Sequence, residues 1–409
     1  MRTLFRGERQ KWWIGLAALA AVGIVSQMYV GVRAAEERVL KPDPALVEEA
    51  KALGVEVINP VRALPPLPMD AQKDNVTTPE KVRLGAMLFF DTRLSGDAST
   101  ACVKCHAPSM GWGESGDMSV GYPGNQHFRN SHTAMNTGYM NKLFWEGRTL
   151  SLEAQAGAAA FGGSAGNVQR DMAQARLMQV PEYRKMFKEI FGTEPHWEAI
   201  SRAIAAFQRH GLKTDPKNVP FDRYMMGDDK ALTGKQIQGM NLFAGKARCI
   251  LCHNGPMFTD QDHYMTGVPR PEAYLNDALR QIEVRFRCKS NGITNYGECD
   301  DDLGLFFNTH RTADIKRFRT QTLREIKYTA PYMHNGSFFT FEEVVDHYNK
   351  GGGDDQGYGT KTKLLKPLNL SDQEKADLVA FLESLSSDVL PGMEFSNPKL
   401  PGYSNGALE

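Results

Sequence analysis

Two five-residue motifs, Cys102-Val-Lys-Cys105-His106 and Cys249-Ile-Leu-Cys252-His253, limit what this chain can be more than any other feature. Both read C-x-x-C-H, the signature of covalent c-type haem attachment. Two thiols three positions apart fall on one side of a helical turn, where they can form thioethers to the two vinyl groups of one haem. The histidine that follows supplies an axial imidazole to the iron. A C-x-x-C pair can also serve as a redox dithiol or as half of a zinc site. A zinc site would need the two pairs to meet and would leave two histidines over.

The start of the chain supports the haem reading, because attachment of this kind takes place outside the cytoplasm. Residues 1–35 carry Arg2, Arg6, Arg9, Lys11 and Arg33 against one acid, Glu8, with an apolar run from Trp12 to Val25 and another from Met28 to Val32. Val32-Arg33-Ala34 resembles a small-residue cleavage site, so the segment reads as an export signal removed from the mature protein. The alternative is an uncleaved anchor, since Trp12 to Val32 could almost span a bilayer. Either way the body is expected in the periplasm, touching the membrane only if that segment stays attached. Lys+Arg and Asp+Glu both number 48, so nothing in the charge marks a nucleic-acid binder.

Cys288 and Cys299 have no histidine after them. In an oxidising compartment they are expected to form a disulfide, closing a loop whose Asn291-Gly292 and Asn295-Tyr296-Gly297 favour turns.

Each haem motif is preceded by a similar segment. Thr78-Pro79-Glu80 opens a helix that runs through Gly85 to Leu88-Phe89, and Thr233 opens another that runs through Gly239 to Leu242-Phe243. The shared Gly-x-x-Leu-Phe spacing suggests a duplicated haem module. Ile200, Ile204, Ala205 and Phe207 mark one apolar helix face between them. Two later helices are announced by the capping boxes Thr340-Phe-Glu-Glu343 and Ser371-Asp-Gln-Glu374, and Gly351-Gly352-Gly353 stops the first. Strand patterns are sparse. The expected fold is mostly α, with two cytochrome c-like haem domains, long loops and little strand. Its parts are the leader or anchor (1–35), an N-terminal extension (36–77), a first haem domain (78–212), a polar linker (213–232), a second haem domain (233–390) and a tail that wraps over the surface (391–409).

On these motifs the chain resembles the bacterial di-haem cytochrome c peroxidase family, which includes MauG. The matching stretches are Leu84-Gly85 with Leu88-Phe-Phe-Asp91, Arg129-Asn130, Phe144-Trp-Glu-Gly-Arg148, Pro220-Phe-Asp-Arg223 and Tyr328-Thr-Ala-Pro-Tyr-Met-His-Asn-Gly336. The resemblance implies two covalent haem c groups. The N-terminal one would react with hydrogen peroxide, and the C-terminal one would store or relay electrons. It places Trp145 between the haems and Gln155, ten residues on, beside the bound peroxide. It also implies a calcium ion held by the Asn130 side chain and the backbone carbonyls of Thr329 and Pro331.

Three departures from the family pattern matter. The distal Glu expected at position 165 is Ala165, and Asp171 is the nearest acid that could replace it. The histidine that ligates the first haem in the inactive state is replaced by Tyr122, with His127 displaced nearby and expected as a surface-loop residue. The first haem is therefore expected to be five-coordinate as isolated. The Met that usually ligates the second haem is Tyr348, on one helix face with Phe341, Val344 and Val345. A tyrosinate is a hard anion that stabilises oxidised iron, whereas Met raises the potential. These features point to the MauG-like branch, with a small redox protein or an oxidisable protein substrate as electron source. The competing class is a di-haem electron carrier without peroxidase activity.

Overall fold

The computed structural model describes residues 37–55, 58–114, 116, 118–121, 124, 127–354 and 359–402. The basic and apolar leader and Tyr122 lie outside the described residues. In chain order the helices are α1 Pro44–Ala52, α2 Pro79–Phe90, α3 Leu152–Phe161, α4 Arg170–Met178, α5 Pro181–Phe191, α6 Trp197–Ala206 and α7 Pro220–Met225. They continue with α8 Gly234–Ala244, α9 Glu272–Leu275, α10 Ala278–Ser290, α11 Phe306–Thr309, α12 Phe341–Asn349 and α13 Asp372–Glu383. Among the described residues one short antiparallel pair forms, β1 His263–Tyr264 against β2 Phe318–Arg319. The fold is mostly helical with long loops, as expected. No described helix is long and apolar enough to cross a membrane.

The expected caps are in place. The Thr78 hydroxyl accepts from the Lys81 amide at the start of α2. Thr233, Thr340 and Ser371 each form a complete capping box, with Gln236, Glu343 and Glu374. These caps satisfy N–H groups that the first helical turn leaves open.

The two glycines of the repeated spacing do the same job. A Cβ built on Gly85 in α2 would lie 2.0 Å from the Ala203 carbonyl oxygen of α6 and 2.7 Å from Phe207 Cβ. One built on Gly239 in α8 would lie 2.0 Å from the Asp377 carbonyl oxygen of α13 and 2.7 Å from Phe381 Cβ. In both halves the helix before the haem motif crosses a later helix so closely that only glycine fits. Around each crossing stands an apolar core. The first includes Leu84, Leu88, Phe89, Trp112, Ile200 and Phe207; the second includes Phe221, Phe243, Ile250, Phe258, Phe381 and Leu385.

A second repeated unit follows each crossing. Leu143 bridges Thr149, and Tyr332 bridges Phe338, closing two loops of equal length. Phe144 and Met333 share a left-handed backbone, as do Gly147 and Gly336, and Asn136 and Glu325. Each loop leads into a helix, α3 behind the Ser151 cap and α12 behind Thr340. At the same spacing Trp145 corresponds to His334, Gln155 to Val344, and Ala159 to Tyr348.

The segments outside the two units are more tightly packed than the sequence suggests. In the stretch expected as a polar linker, Val219, Phe221 and Met225 are buried in the second core. Asp222 and Arg324 there form a fully buried ion pair through Oδ2–Nη1 at 2.6 Å and Oδ1–Nη2 at 2.9 Å. The apolar residues were masked by the charges and prolines around them. The N-terminal extension also joins the second core through Leu46, Ala50 and Val61, and Glu49 binds Arg248 bidentately. The tail crosses back to the first half. The Pro391 carbonyl accepts from Trp112 Nε1 at 2.7 Å, and the Phe395 ring lies 5.4 Å from that of Phe207.

Candidate haem sites and the contact between them

The first half encloses a cavity of about 650 Å³ lined by Cys102, Cys105 and His106, with Leu152, Gln155, Ala156 and Ala159 of α3 forming a further part of its wall. The second half encloses a cavity of about 260 Å³ lined by Cys249, Cys252 and His253, together with Phe341, Val344, Val345 and Tyr348 of α12. His106 Nδ1 bonds the Trp112 carbonyl at 3.1 Å, and His253 Nδ1 bonds the Phe258 carbonyl at 3.0 Å. A histidine held through Nδ1–H in this way presents Nε2 to a metal. Burial lowers both imidazole pKa values, which favours the neutral, ligating form.

The chemistry of the donors fits haem c. All four cysteines are free of disulfides. Burial pushes the Cys102 and Cys249 thiols up to about 12 and Cys105 up to about 11, and raises Cys252 as well. A redox dithiol depends on a lowered thiol pKa, so this environment opposes that use. No group of three or more His, Cys, Asp or Glu suited to a metal ion occurs among the described residues, so the two pairs do not meet as a zinc site. Tyr348 is half-buried, and burial raises its phenol pKa although the Thr266 side chain hydrogen-bonds to it. Without a metal the phenol stays protonated; a bound cation inverts that preference.

Asn130, His132, Thr133 and Trp145 line both cavities. Trp145 Nε1 donates to the Asn130 carbonyl at 2.8 Å. Its ring stands edge-on to His132 at 5.5 Å and to His334 at 6.3 Å. His334 in turn stacks on Phe318 at 3.7 Å. Trp145 thus meets its counterpart from the other half where the two cavities adjoin. Sequence reasoning missed His132, which belongs to no recognisable ligand spacing, and saw His334 only as part of the Tyr328–Gly336 motif, without its place beside Trp145.

The first cavity is polar where Gln155 and Gln208 line it, and each has a buried Oε1 with no hydrogen-bond partner. Gln208 is 6% exposed and sits in the π-helical turn Phe207–Gly211 that continues α6. Such turns are frequent at functional sites, but the sequence carried no sign of this one. Two orphaned amide oxygens in one cavity suit a bound group that brings its own donors.

Two expectations fail here. Asp171 lies in the exposed first turn of α4 and does not line the cavity, because the loop 162–167 forms that wall instead. His127 is no surface residue: it is half-buried, lines the first cavity, stacks on Phe128 at 4.7 Å and accepts from the Arg129 amide. Burial drives its imidazole down to about 4. The acids that do line the cavity are Glu146 and Glu283. Burial pushes the Glu146 carboxyl up, but ion pairs with Arg129 and Arg148 outweigh this and hold it at about 2.

Asn130, Thr329 and Pro331 all line the second cavity. Asn130 Nδ2 donates to the Gly116 carbonyl at 2.9 Å, leaving the amide oxygen as the acceptor. A donor set of neutral oxygens suits a hard cation such as Ca²⁺. Cys288 and Cys299 form the expected disulfide.

Residues 79–230 match a family model described as di-haem cytochrome c peroxidase. The chain is 48% identical over 354 residues to the cytochrome-c peroxidase IdrP1 of Denitromonas iodatirespirans, an alignment covering 86% of this chain and 92% of that protein. It is 35% identical to the methylamine utilization protein MauG of Methylorubrum extorquens, over 77% of this chain and 81% of the other. Its fold is similar to a crystal structure of a MauG-like protein associated with microbial copper homeostasis, with a TM-score of 0.66 and 29% identity over 80% of this chain and 95% of that one.

Proposed function

This chain belongs to the di-haem cytochrome c peroxidase family that includes MauG, and is a peroxidase-type oxidoreductase of that family with two haem c groups; from that premise we propose how its two cavities divide the work. The first is the peroxide site. The second exchanges electrons with a protein partner, either a small redox protein or a protein side chain to be oxidised. The protein works in the periplasm, with residues 1–35 as leader or anchor.

One observation carries this division. At equivalent places in the two repeated units, the second cavity has Tyr348 and the first has Ala159. A methyl group cannot ligate iron, so α3 offers no side-chain ligand at this place, where α12 offers Tyr348. When bound, haem supplies the redox chemistry and a site for oxygen ligands. The protein supplies the rest. Cys102, Cys105 and His106 would hold one group, and Cys249, Cys252, His253 and Tyr348 would hold the other.

Hydrogen peroxide in the first cavity meets the Gln155 carboxamide, whose free oxygen accepts a hydrogen bond from it. Apolar Leu152 and Ala156 beside it exclude bulk water. Trp145 lies between the cavities with its N–H already bonded to Asn130, which fixes the ring for electron passage. Calcium at Asn130, Thr329 and Pro331 would brace the same junction. The test is the diferric protein treated with stoichiometric peroxide. Consumption of peroxide, with oxidation of a reduced small cytochrome or of a co-purifying protein, supports the division; no reaction overturns it.

A further inference from the structure

Reduction of hydrogen peroxide to two waters takes up two protons as well as two electrons. Among the described residues the first half of the chain places no free carboxyl in that cavity. Ala165 stands in the loop 162–167, which contributes no acid to the cavity wall, and Asp171 is exposed and outside it. Glu146 is a fixed anion between Arg129 and Arg148.

Glu283 is placed differently. It sits on α10, which follows the second haem motif in sequence but reaches over the first cavity. Glu283, Phe286, Arg287 and Ser290 all line that cavity. The Glu283 side chain is half-buried and makes no hydrogen bond or ion pair among the described residues. A carboxyl that relays protons must reach both solvent and the reacting space; Glu283 is partly exposed and lines the same cavity as Gln155.

We propose that Glu283 is the proton-relay carboxyl of the first cavity, contributed by the second half of the chain, taking protons from solvent and passing them to hydrogen peroxide held beside Gln155. The proposal rests on the peroxidase reading of that cavity. Its position is fixed rather than incidental. Val284 and Cys288, on the buried side of α10, pack with Met118, Phe128 and Phe307. Arg280 on the same helix donates to the His127 carbonyl at 2.7 Å, and the Cys288–Cys299 disulfide ties the helix end to the following loop.

The electrostatics agree with the placement. Burial raises the Glu283 carboxyl pKa, the direction a proton donor near neutral pH requires. The charged and titratable groups that line the cavity with it are Arg287 on its own helix, Glu146 and Arg148 from the loop 144–149, and His127 and Arg129 from the segment 127–130, with Asp302 paired to Arg129; Arg280 lies one turn earlier on the same helix. Glu146 is ionised above about 2, the Asp302 pKa is lowered, and His127 is neutral above about 4. Among these groups Glu283 is a carboxyl that burial pushes above the usual carboxylate value. Over a cycle the O–O bond breaks, Glu283 delivers each proton in turn and regains it from solvent, and the reduced protein donor supplies the electrons: H2O2 + 2 H+ + 2 e− gives 2 H2O.

The test uses the diferric holoprotein and its Glu283→Gln and Glu283→Asp variants. Stopped-flow absorbance gives the bimolecular rate constant with hydrogen peroxide across pH. Infrared difference spectra between acidic and neutral pH, recorded without peroxide, follow protonated carboxyls directly. The expected result has three parts. Glu283→Gln is slowed about 10²-fold with a flattened pH profile. Its infrared difference lacks one carboxyl band. Glu283→Asp recovers part of the rate. A Glu283→Gln protein with wild-type rate and pH profile overturns the proposal while leaving the peroxidase reading intact. A wild-type protein inert to peroxide overturns both.

Discussion

Two copies of one loop-and-helix unit face the two haem cavities, and they differ most where they meet the haem space. In α12 a tyrosine, Tyr348, enters the smaller cavity of about 260 Å³; in α3 the equivalent Ala159 lines a cavity of about 650 Å³. Val344 in the second copy becomes Gln155 in the first, and His334 becomes Trp145. The scaffold around these positions is shared down to its left-handed residues and caps. In the proposed division of labour, a few side chains on a common frame separate a closed electron-handling site from an open, polar one.

The strongest way to break that comparison is to remove one haem at a time. Cys102→Ser with Cys105→Ser is expected to abolish peroxide consumption and lower the haem content seen by mass spectrometry. Cys249→Ser with Cys252→Ser keeps a peroxide-binding first haem that no longer draws electrons from a protein donor. Identical phenotypes for the two pairs would erase the division of labour.

A gentler change makes the two copies alike. Ala159→Tyr is expected to close the first cavity, convert its ferric haem from high to low spin in EPR spectra, and slow peroxide reaction by about 10²-fold or more. The converse, Tyr348→Met, is expected to raise the second haem's potential by on the order of 0.1 V, within the roughly 0.8 V that axial ligands span. Redox titration reads this directly, and an unchanged potential would mean that Tyr348 is not a ligand.

Shared packing predicts matched losses of stability. Gly85→Ala and Gly239→Ala each force a methyl against a backbone carbonyl, costing about 1–3 kcal/mol or more in each half. Thermal unfolding of the two variants should fall to a similar degree; a large inequality would show that the helix crossings are not equivalent.

The smallest effect is a pH dependence confined to the first half. Burial raises the Glu146 carboxyl, but Arg129 and Arg148 bring it down from 4.5 to about 2. A lowered folded-state value contributes stability that is present above pH 4.5 and is lost as pH falls towards about 2. An acid-unfolding scan of Glu146→Gln should therefore lose part of the wild-type slope in that window, and an unaltered slope would place the acid-sensitive group elsewhere.

Much of this was legible in the sequence, for physical reasons. C-x-x-C-H is a rigid local requirement, and capping boxes are local too, so Cys102 to His106, Cys249 to His253 and the starts of α8, α12 and α13 could be read directly. The repeat of Leu143–Ala159 in Tyr332–Tyr348 was harder to see, because backbone conformation and cap positions are kept while most side chains differ. The acid–base partner could not be read. Asp171 is close to Gln155 in sequence, but the loop 162–167 keeps it outside the cavity, and Glu283 comes from a helix more than a hundred residues away. Likewise Phe221 looked like part of a tether, since its ring partners, Phe258 and Phe381 of α13, lie far along the chain.

The central claim is that one iron is open and the other is closed by Tyr348. EPR spectroscopy of the diferric protein, before and after one equivalent of hydrogen peroxide, tests it most directly. The account predicts one high-spin and one low-spin ferric signal, with the high-spin signal lost on adding peroxide. Two low-spin signals that peroxide leaves unchanged would contradict it.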